Sequence, residues 1–342
     1  MPAPGARSCS SDWSCWRWAS SGPGGQRSSC QNLHRDSEGE VQMFKLRSAL
    51  ASLALIGLGL GTMTAATAEA ATAAPAPVAP VLTKITAAHH TGYDRLVFTF
   101  KGGVPSQHTV RYVSQVIGDP SGRPVSVVGS AKLLVRFVPA AGHNDQGRVT
   151  YGPTSRTFAL PGIIQVVQAG DFESVLSFGV GVARTEPFHV FTLTGPSRVV
   201  IDLRTPYATV FVRDYFLNVH RFASGRQPYV QAVSRRVIPP KTAFGAMQRL
   251  FAGPTQAELA GGMRFVSSRA TGFKNLSIRD GVARIQLTGK ISSGGSTFTT
   301  ANEIMPTLKQ FPSVHWVKIY DQFGRTERPA GHSDSIPFSL EP

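Results

Sequence analysis

The sequence predicts a multi-domain protein in which an all-β sandwich precedes an α+β domain, a sheet with two helices on one face. Three observations carry this. Short β-branched or aromatic runs, separated by Gly, Pro, Asn and Asp clusters, fill residues 82–205. From residue 206 strand-like runs alternate with segments of helical period. A chain of 342 residues, 42% hydrophobic and 16% charged, has the length and composition of two globular cores.

The N-terminal stretch stands apart. Residues 1–42 hold all three cysteines, Cys9, Cys15 and Cys30, in a Ser/Gly/Arg text without strand or helical period. Met43 then opens a different text. Lys45 and Arg47 precede an apolar run from Ala49 to Leu60, and Ala68-Glu69-Ala70 is an A-x-A cleavage signal. Residues 43–70 therefore read as a secretory signal peptide. Residues 1–42 read as an untranslated or disordered extension, with an unusually long n-region as the alternative. The apolar run is too short for a stable membrane anchor, and no cysteine follows it to take a lipid. The processed chain, from about Ala71, has no cysteine, so disulfides and thiolate metal sites are excluded.

Residues 71–81 are an Ala/Pro linker, extended and semi-rigid. In the sandwich, residues 82–205, the run Leu96-Val97-Phe98-Thr99-Phe100 puts Leu96, Phe98 and Phe100 on one face. Further strands are expected over His108–Gln115, Pro124–Val128, Lys132–Val138, Ile163–Gln168, Phe172–Phe178, Phe188–Thr194 and Arg198–Leu203. In the second domain, residues 206–342, strands are expected over Thr209–Leu217 and Tyr229–Val237. A helix follows in which Ala243, Met247, Leu250 and Phe251 share one face, ending at Gly253-Pro254. Asn275–Ile278 and Val282–Leu287 form a hairpin about Asp280-Gly281. Thr300 and Glu303 have the spacing of a capping box, opening a helix to about Phe311 that contains Pro306. Val314–Asp321 is the last strand.

Charge narrows the partners. Of 35 basic residues 26 are Arg, and residues 71–342 carry 29 Lys and Arg against 15 Asp and Glu. A net charge near +14 favours acidic wall polymers or anionic headgroups. Export makes nucleic acid an unexpected partner. The arginines are scattered, so solubility is an equally direct reading.

Two sets of residues resemble known families. His89-His90-Thr91-Gly92-Tyr93-Asp94-Arg95-Leu96-Val97-Phe98, the run from Ala169 to Gly179, and Pro196 to Leu203 resemble the AMIN-like domain. It is a relative of the β-sandwich that positions wall amidases and secretins in the envelope. Val210–Leu217, Leu250–Thr255, Gly281–Ile285 and Thr307–Val314 resemble the GerMN domain of sporulation and germination proteins. The first resemblance implies peptidoglycan binding and the second a wall or complex-assembly role. Neither implies a catalytic residue or a cofactor. The missing lipobox departs from many GerMN proteins.

Candidate sites are few. The loop Ser292-Ser293-Gly294-Gly295-Ser296-Thr297 leads into a helix N-terminus, where free amides and the dipole favour an anion. Arg235 and Arg236, with Arg221 and Arg226, form a candidate basic rim, although only one of the adjacent pair can face solvent. Trp316 and Tyr320 share a strand face with Lys318 and would stack on a glycan if that face is exposed. Tyr93, Phe98 and Phe100 read as core. His89 and His90 point to opposite faces and share no metal. Asp171 and Glu173 share a strand face in the wrong arrangement for glycoside hydrolysis. No G-x-S-x-G elbow surrounds any serine. The expectation is a non-catalytic envelope protein that binds peptidoglycan or an associated acidic polymer. The alternatives are a scaffold for envelope proteins and, less well supported, a wall-modifying enzyme.

Overall fold

The computed structural model describes residues 78–342. The expected extension, the signal peptide and most of the linker lie outside the described residues. Val81, expected at the end of the linker, already belongs to the first strand.

The first eleven strands are β1 (Val81–His90), β2 (Tyr93–Lys101), β3 (Gln107–Val113), β4 (Val116–Ile117), β5 (Pro124–Val125), β6 (Ala131–Val138), β7 (Ser155–Thr157), β8 (Ile163–Phe172), β9 (Val175–Val182), β10 (Phe188–Thr194) and β11 (Ser197–Arg204). They form an antiparallel sheet in the order β1-β2-β11-β10, a second in the order β3-β6-β9-β8-β7, and a small β4-β5 ribbon. The alternation read in the sequence explains the packing. Leu96, Phe98 and Phe100 of β2 point inward, and they meet Val135, Phe137, Phe178 and Val180 of the other sheet in one core. Phe98 lies edge-on to Phe137 with centroids 5.0 Å apart.

One expected strand is divided. The run Phe172–Phe178 is broken by Glu173 and Ser174, whose φ values of 48° and 60° make the two-residue turn joining β8 to β9. Glu173 therefore sits at a turn tip and shares no strand face with Asp171. The β9 glycines have a packing role. Gly179 and Gly181 lie two apart, on the side where the Val127–Val128 segment crosses the sheet. A Cβ on Gly181 would lie 1.9 Å from the Val128 carbonyl oxygen.

The remaining elements are β12 (Val210–Asn218), α1 (Val219–Ala223), β13 (Val230–Val237), α2 (Thr242–Ala252), α3 (Gln256–Ala260), β14 (Met263–Arg264), β15 (Ala270–Arg279), β16 (Val282–Gly289), α4 (Ala301–Lys309) and β17 (Trp316–Tyr320). The class is α+β, as expected, but the strands form two sheets: β13-β12-β14, and β15-β16-β17 with β16 and β17 parallel. The hairpin turns at Asp280-Gly281, with φ of 51° and 74°. Helix α2 buries Ala243, Met247, Leu250 and Phe251 and stops at Gly253, whose φ is 83°. The short α1 and α3 lack a periodic signal.

The expected capping box at Thr300 is not made, and its residues serve other partners. Thr300 has helical backbone angles and its side chain caps nothing. Glu303 instead turns toward β12, and its two carboxylate oxygens accept the amide protons of Leu217 at 2.9 Å and Val266 at 3.0 Å. Thr307 accepts from the Tyr215 amide at 3.2 Å and Gln310 from the Arg213 amide at 2.7 Å. Alternate amides of a strand recur about every 6.7 Å, and a helix advances about 6 Å over the four residues from Glu303 to Thr307 and about 4.5 Å over the three from Thr307 to Gln310. A polar stripe of α4 thus takes the place of a neighbouring strand along one edge of β12. Burial lifts the Glu303 carboxyl to about 8, against the pull of its two amide donors.

Helix α2 also meets the sandwich. Arg249, 1% exposed, donates to the carbonyl oxygens of Leu160 and Pro161, each at 2.9 Å. Gln248 donates to Ser130 Oγ at 2.9 Å, and Thr157 donates its hydroxyl to the Ala252 carbonyl oxygen. No described helix is long and apolar enough to cross a membrane.

Candidate functional site

The outward face of the β1-β2-β11-β10 sheet carries a strip of rings around one cation. The pleat of β2 turns Asp94, Leu96, Phe98 and Phe100 inward, and so leaves Tyr93 and Arg95 on the outer face. Strand register places Arg95 opposite Asp202 of β11, and Asp202 opposite His189 of β10. Asp202 clamps Arg95 through two parallel hydrogen bonds of 2.7 Å from Nε and Nη2. The hydrogen bond to Asp202 raises the Arg95 guanidinium above its ordinary value, so it stays charged.

The clamped guanidinium lies between two aromatic rings, its carbon 5.2 Å from the centre of Tyr93 and 5.4 Å from that of Phe191. Each ring carries an outer partner. His90 stacks on Tyr93 at 4.9 Å and 14°, and His189 stacks on Phe191 at 5.4 Å and 25°. The order His90, Tyr93, Arg95, Phe191, His189 crosses the sheet from β1 to β10. Both histidines are exposed, and Tyr93, Arg95 and Phe191 are half-buried. A strip of this kind offers π faces to apolar C–H surfaces, Asp202 as an acceptor to hydroxyls, and Arg95 and the imidazoles as donors to hydroxyls and acidic groups.

Asp94 supports the strip from below. Fully buried, it accepts the amides of Gly162 at 2.6 Å and Ile163 at 2.9 Å, and it contacts His89 Nδ1 at 2.6 Å. It therefore ties the β1–β2 turn to the start of β8. A second carboxylate–imidazole contact, Asp171 to His143 at 2.7 Å, closes the loop at Gly142, whose amide Asp171 also accepts. Among the described residues no three His, Cys, Asp or Glu side chains are grouped to hold a metal.

The residues singled out in the sequence fare differently. Arg235 is 5% exposed and does not join a basic rim. Its guanidinium makes a two-pronged pair with Glu258 at 2.6 and 2.7 Å and lies 3.6 Å from Asp214. Arg236 is exposed, with its guanidinium 4.4 Å from the Phe211 ring. Arg221 is spent on the carbonyl oxygens of Gln227 and Pro228.

The serine loop closes on itself. Ser292 Oγ accepts from the Gly294 amide at 3.1 Å, and Ser293 Oγ from the Gly295 amide at 3.2 Å. The Ser293 carbonyl accepts the Ser296 amide, and Ser296 Oγ accepts from Phe298. Asn302 and Ser268 take the Thr299 and Thr300 amides. With these donors filled, the tip, Gly294 to Thr297, stays exposed.

Trp316 is 37% exposed, but Lys318 on the same strand face is fully buried. Its ammonium donates to the carbonyl oxygens of Arg328 and Ala330, because the C-terminal segment covers that face. Burial lowers the Lys318 ammonium below its ordinary value. Tyr320, the other ring of that face, is half-buried, so the face is exposed at Trp316 and covered at Lys318. Of the three aromatics assigned to the core, Phe98 and Phe100 are buried, whereas Tyr93 belongs to the outer strip. Its odd position on a strand whose even residues from Leu96 to Phe100 are apolar is the available signal. Phe191, His189 and Asp202 were missed because their partners lie far away in sequence.

Comparison with known proteins agrees with this layout. The AMIN-like domain model matches residues 80–205, and the model described as sporulation and spore germination matches residues 215–320. No curated protein and no solved structure matches the chain. AMIN-like domains are linked to binding in the cell envelope, and the second family to sporulation and germination. The outer strip lies wholly within the first match, and the chain carries an AMIN-like domain followed by a sporulation and spore germination, or GerMN, domain.

Proposed function

We propose that the protein is a non-catalytic binding module of the cell envelope, and that its ligand is peptidoglycan or an associated acidic wall polymer. The observation that carries the reading is the strip of His90, Tyr93, Arg95, Phe191 and His189, with Asp202 fixing the cation. Its course across neighbouring strands, with both end histidines exposed, suits an extended polymer. Export by the signal read at residues 43–70 and the net charge near +14 of residues 71–342 fit an acidic partner outside the cytoplasm.

The test is co-sedimentation of the purified chain with isolated sacculi, at low and high salt, beside Tyr93→Ala and Phe191→Ala variants. Retention of the native chain and loss by both variants supports the proposal. Equal retention of all three removes the strip from it. A protein-scaffold reading has one observation in its favour. Phe211, 66% exposed beneath Arg236, is the kind of aromatic–arginine pair that anchors protein interfaces.

A further inference from the structure

A cleft of about 430 Å³ opens where α2 meets the sandwich, with Arg184, Lys241, Arg249, Ile238 and Phe244 among its lining residues. Three of these are cations, and no carboxylate lines the cleft. Arg249 is the unusual one. It is 1% exposed and makes no ion pair with any described residue. Its terminal nitrogens are held by the carbonyl oxygens of Gly245, Leu160 and Pro161, but its Nε has no acceptor. Guanidinium groups removed from water are ordinarily paired with an anion.

The other sides of the cleft fit the same partner. Helix α2 begins here, with Lys241 at its cap position, no side-chain cap and no acidic residue in its first turn. The positive end of the helix dipole is thus left without a protein anion. Arg184 reaches the rim, where its guanidinium lies 4.1 Å from the Tyr207 ring and pairs with Glu186, which is not among the lining residues. Ile238 and Phe244 supply an apolar wall. The volume is within the range of small-molecule sites.

We propose that this cleft binds a small organic oxyanion, a carboxylate or phosphate carried on a compact apolar group. The site is separate from the aromatic strip, so it does not depend on the envelope-polymer reading. Ligand bound there would touch both domains through Arg184 on one side and Lys241 on the other, and would stabilise their contact.

Calorimetric titration of the purified chain with benzoate, phenyl phosphate and benzamide tests this. Benzamide has the shape of benzoate without its charge. The expected result is binding of at least one of the two anions, at least tenfold tighter than benzamide. Binding should weaken at least tenfold in the exposed Lys241→Glu variant, and sacculus co-sedimentation should not change. The stronger of the two anions identifies the source, a carboxylate or a phosphate ester. Arg249→Lys keeps the charge but not the fork, and should weaken the anion further if it folds. Absence of heat with both anions at millimolar concentration, binding of neither anion more tightly than benzamide, or an unchanged Lys241→Glu overturns the proposal.

Discussion

Glu303 of α4 accepts the backbone amide of Leu217 in β12 at 2.9 Å, eighty-six residues earlier in the chain. Its other oxygen takes the Val266 amide. One side chain thus satisfies two backbone donors on two segments, and Thr307 and Gln310 extend the same contact along the strand edge. Glu303→Ala should leave two donors without partners, at about 1–3 kcal/mol each. The expected loss is about 3 kcal/mol in urea unfolding. Glu303→Gln, which keeps one acceptor, should lose less. An alanine variant as stable as the native chain would mean that the α4 stripe does not hold the edge.

The second buried acid of this domain predicts a pH dependence. Asp214 is fully buried and no donor reaches either carboxylate oxygen, so burial lifts its carboxyl from 3.8 to about 8, against the opposing pull of Arg235 and Arg249. An acid with a raised value keeps its proton in the fold and releases it on unfolding. The unfolded state therefore binds fewer protons between about 4 and about 8, and stability should fall as pH rises through that window. Glu303 acts in the same direction. Melting temperatures measured from pH 5 to pH 8.5 should decline, and Asp214→Asn should flatten the slope. A rise toward pH 8 in the native chain would contradict the assignment.

Arg249 joins the two domains through the carbonyl oxygens of Leu160 and Pro161. Arg249→Met preserves most of the volume and leaves those acceptors unpaired, with an expected cost of about 2–4 kcal/mol. Scanning calorimetry of the native chain should show the two cores melting together, and the variant should separate them into two transitions.

Gly181→Ala should be among the costliest single-methyl additions in the sandwich. The new carbon would lie 1.9 Å from the Val128 carbonyl oxygen, a backbone atom that can yield only if the crossing segment moves. A loss above about 2 kcal/mol is expected. Gly195→Ala, where the added carbon meets nothing within 4 Å, is the control and should change little.

The aromatic strip gives the functional prediction. Tyr93→Ala and Phe191→Ala should each weaken sacculus binding about tenfold, since a stacked ring contributes about 0.5–1.5 kcal/mol beyond its area. Phe323→Ala, which removes an aromatic that is 70% exposed outside the strip, should not. Melting curves of the three variants separate lost contact from lost fold.

Much of the architecture was legible in the residues themselves. Leu96, Phe98 and Phe100 alternate because a pleated strand with one face in a core demands a period of two. Ala243, Met247, Leu250 and Phe251 mark α2 because a helix with one buried face repeats apolar residues at three and four. Asp280-Gly281 announces its turn because those residues tolerate positive φ. Glu173-Ser174 makes a similar turn without such a signal, so the residue pattern runs on as one strand where the chain reverses.

What the sequence alone determined is the order of the fold classes, an all-β sandwich and then an α+β domain, together with the buried faces of β2 from Leu96 onward and of α2, since these depend on neighbours within a few positions. The tertiary structure decided which charged residues are free to act. Arg235 and Lys318 look like surface cations in the sequence, yet Glu258 and the C-terminal segment bury them. Arg95 looks like one strand arginine among many, yet β11 and β10 surround it with Asp202 and Phe191. The partners in the strip lie about a hundred positions apart in the chain, and only strand register brings them together. Local pattern carries no record of register, because it is set by the packing of both sheets at once.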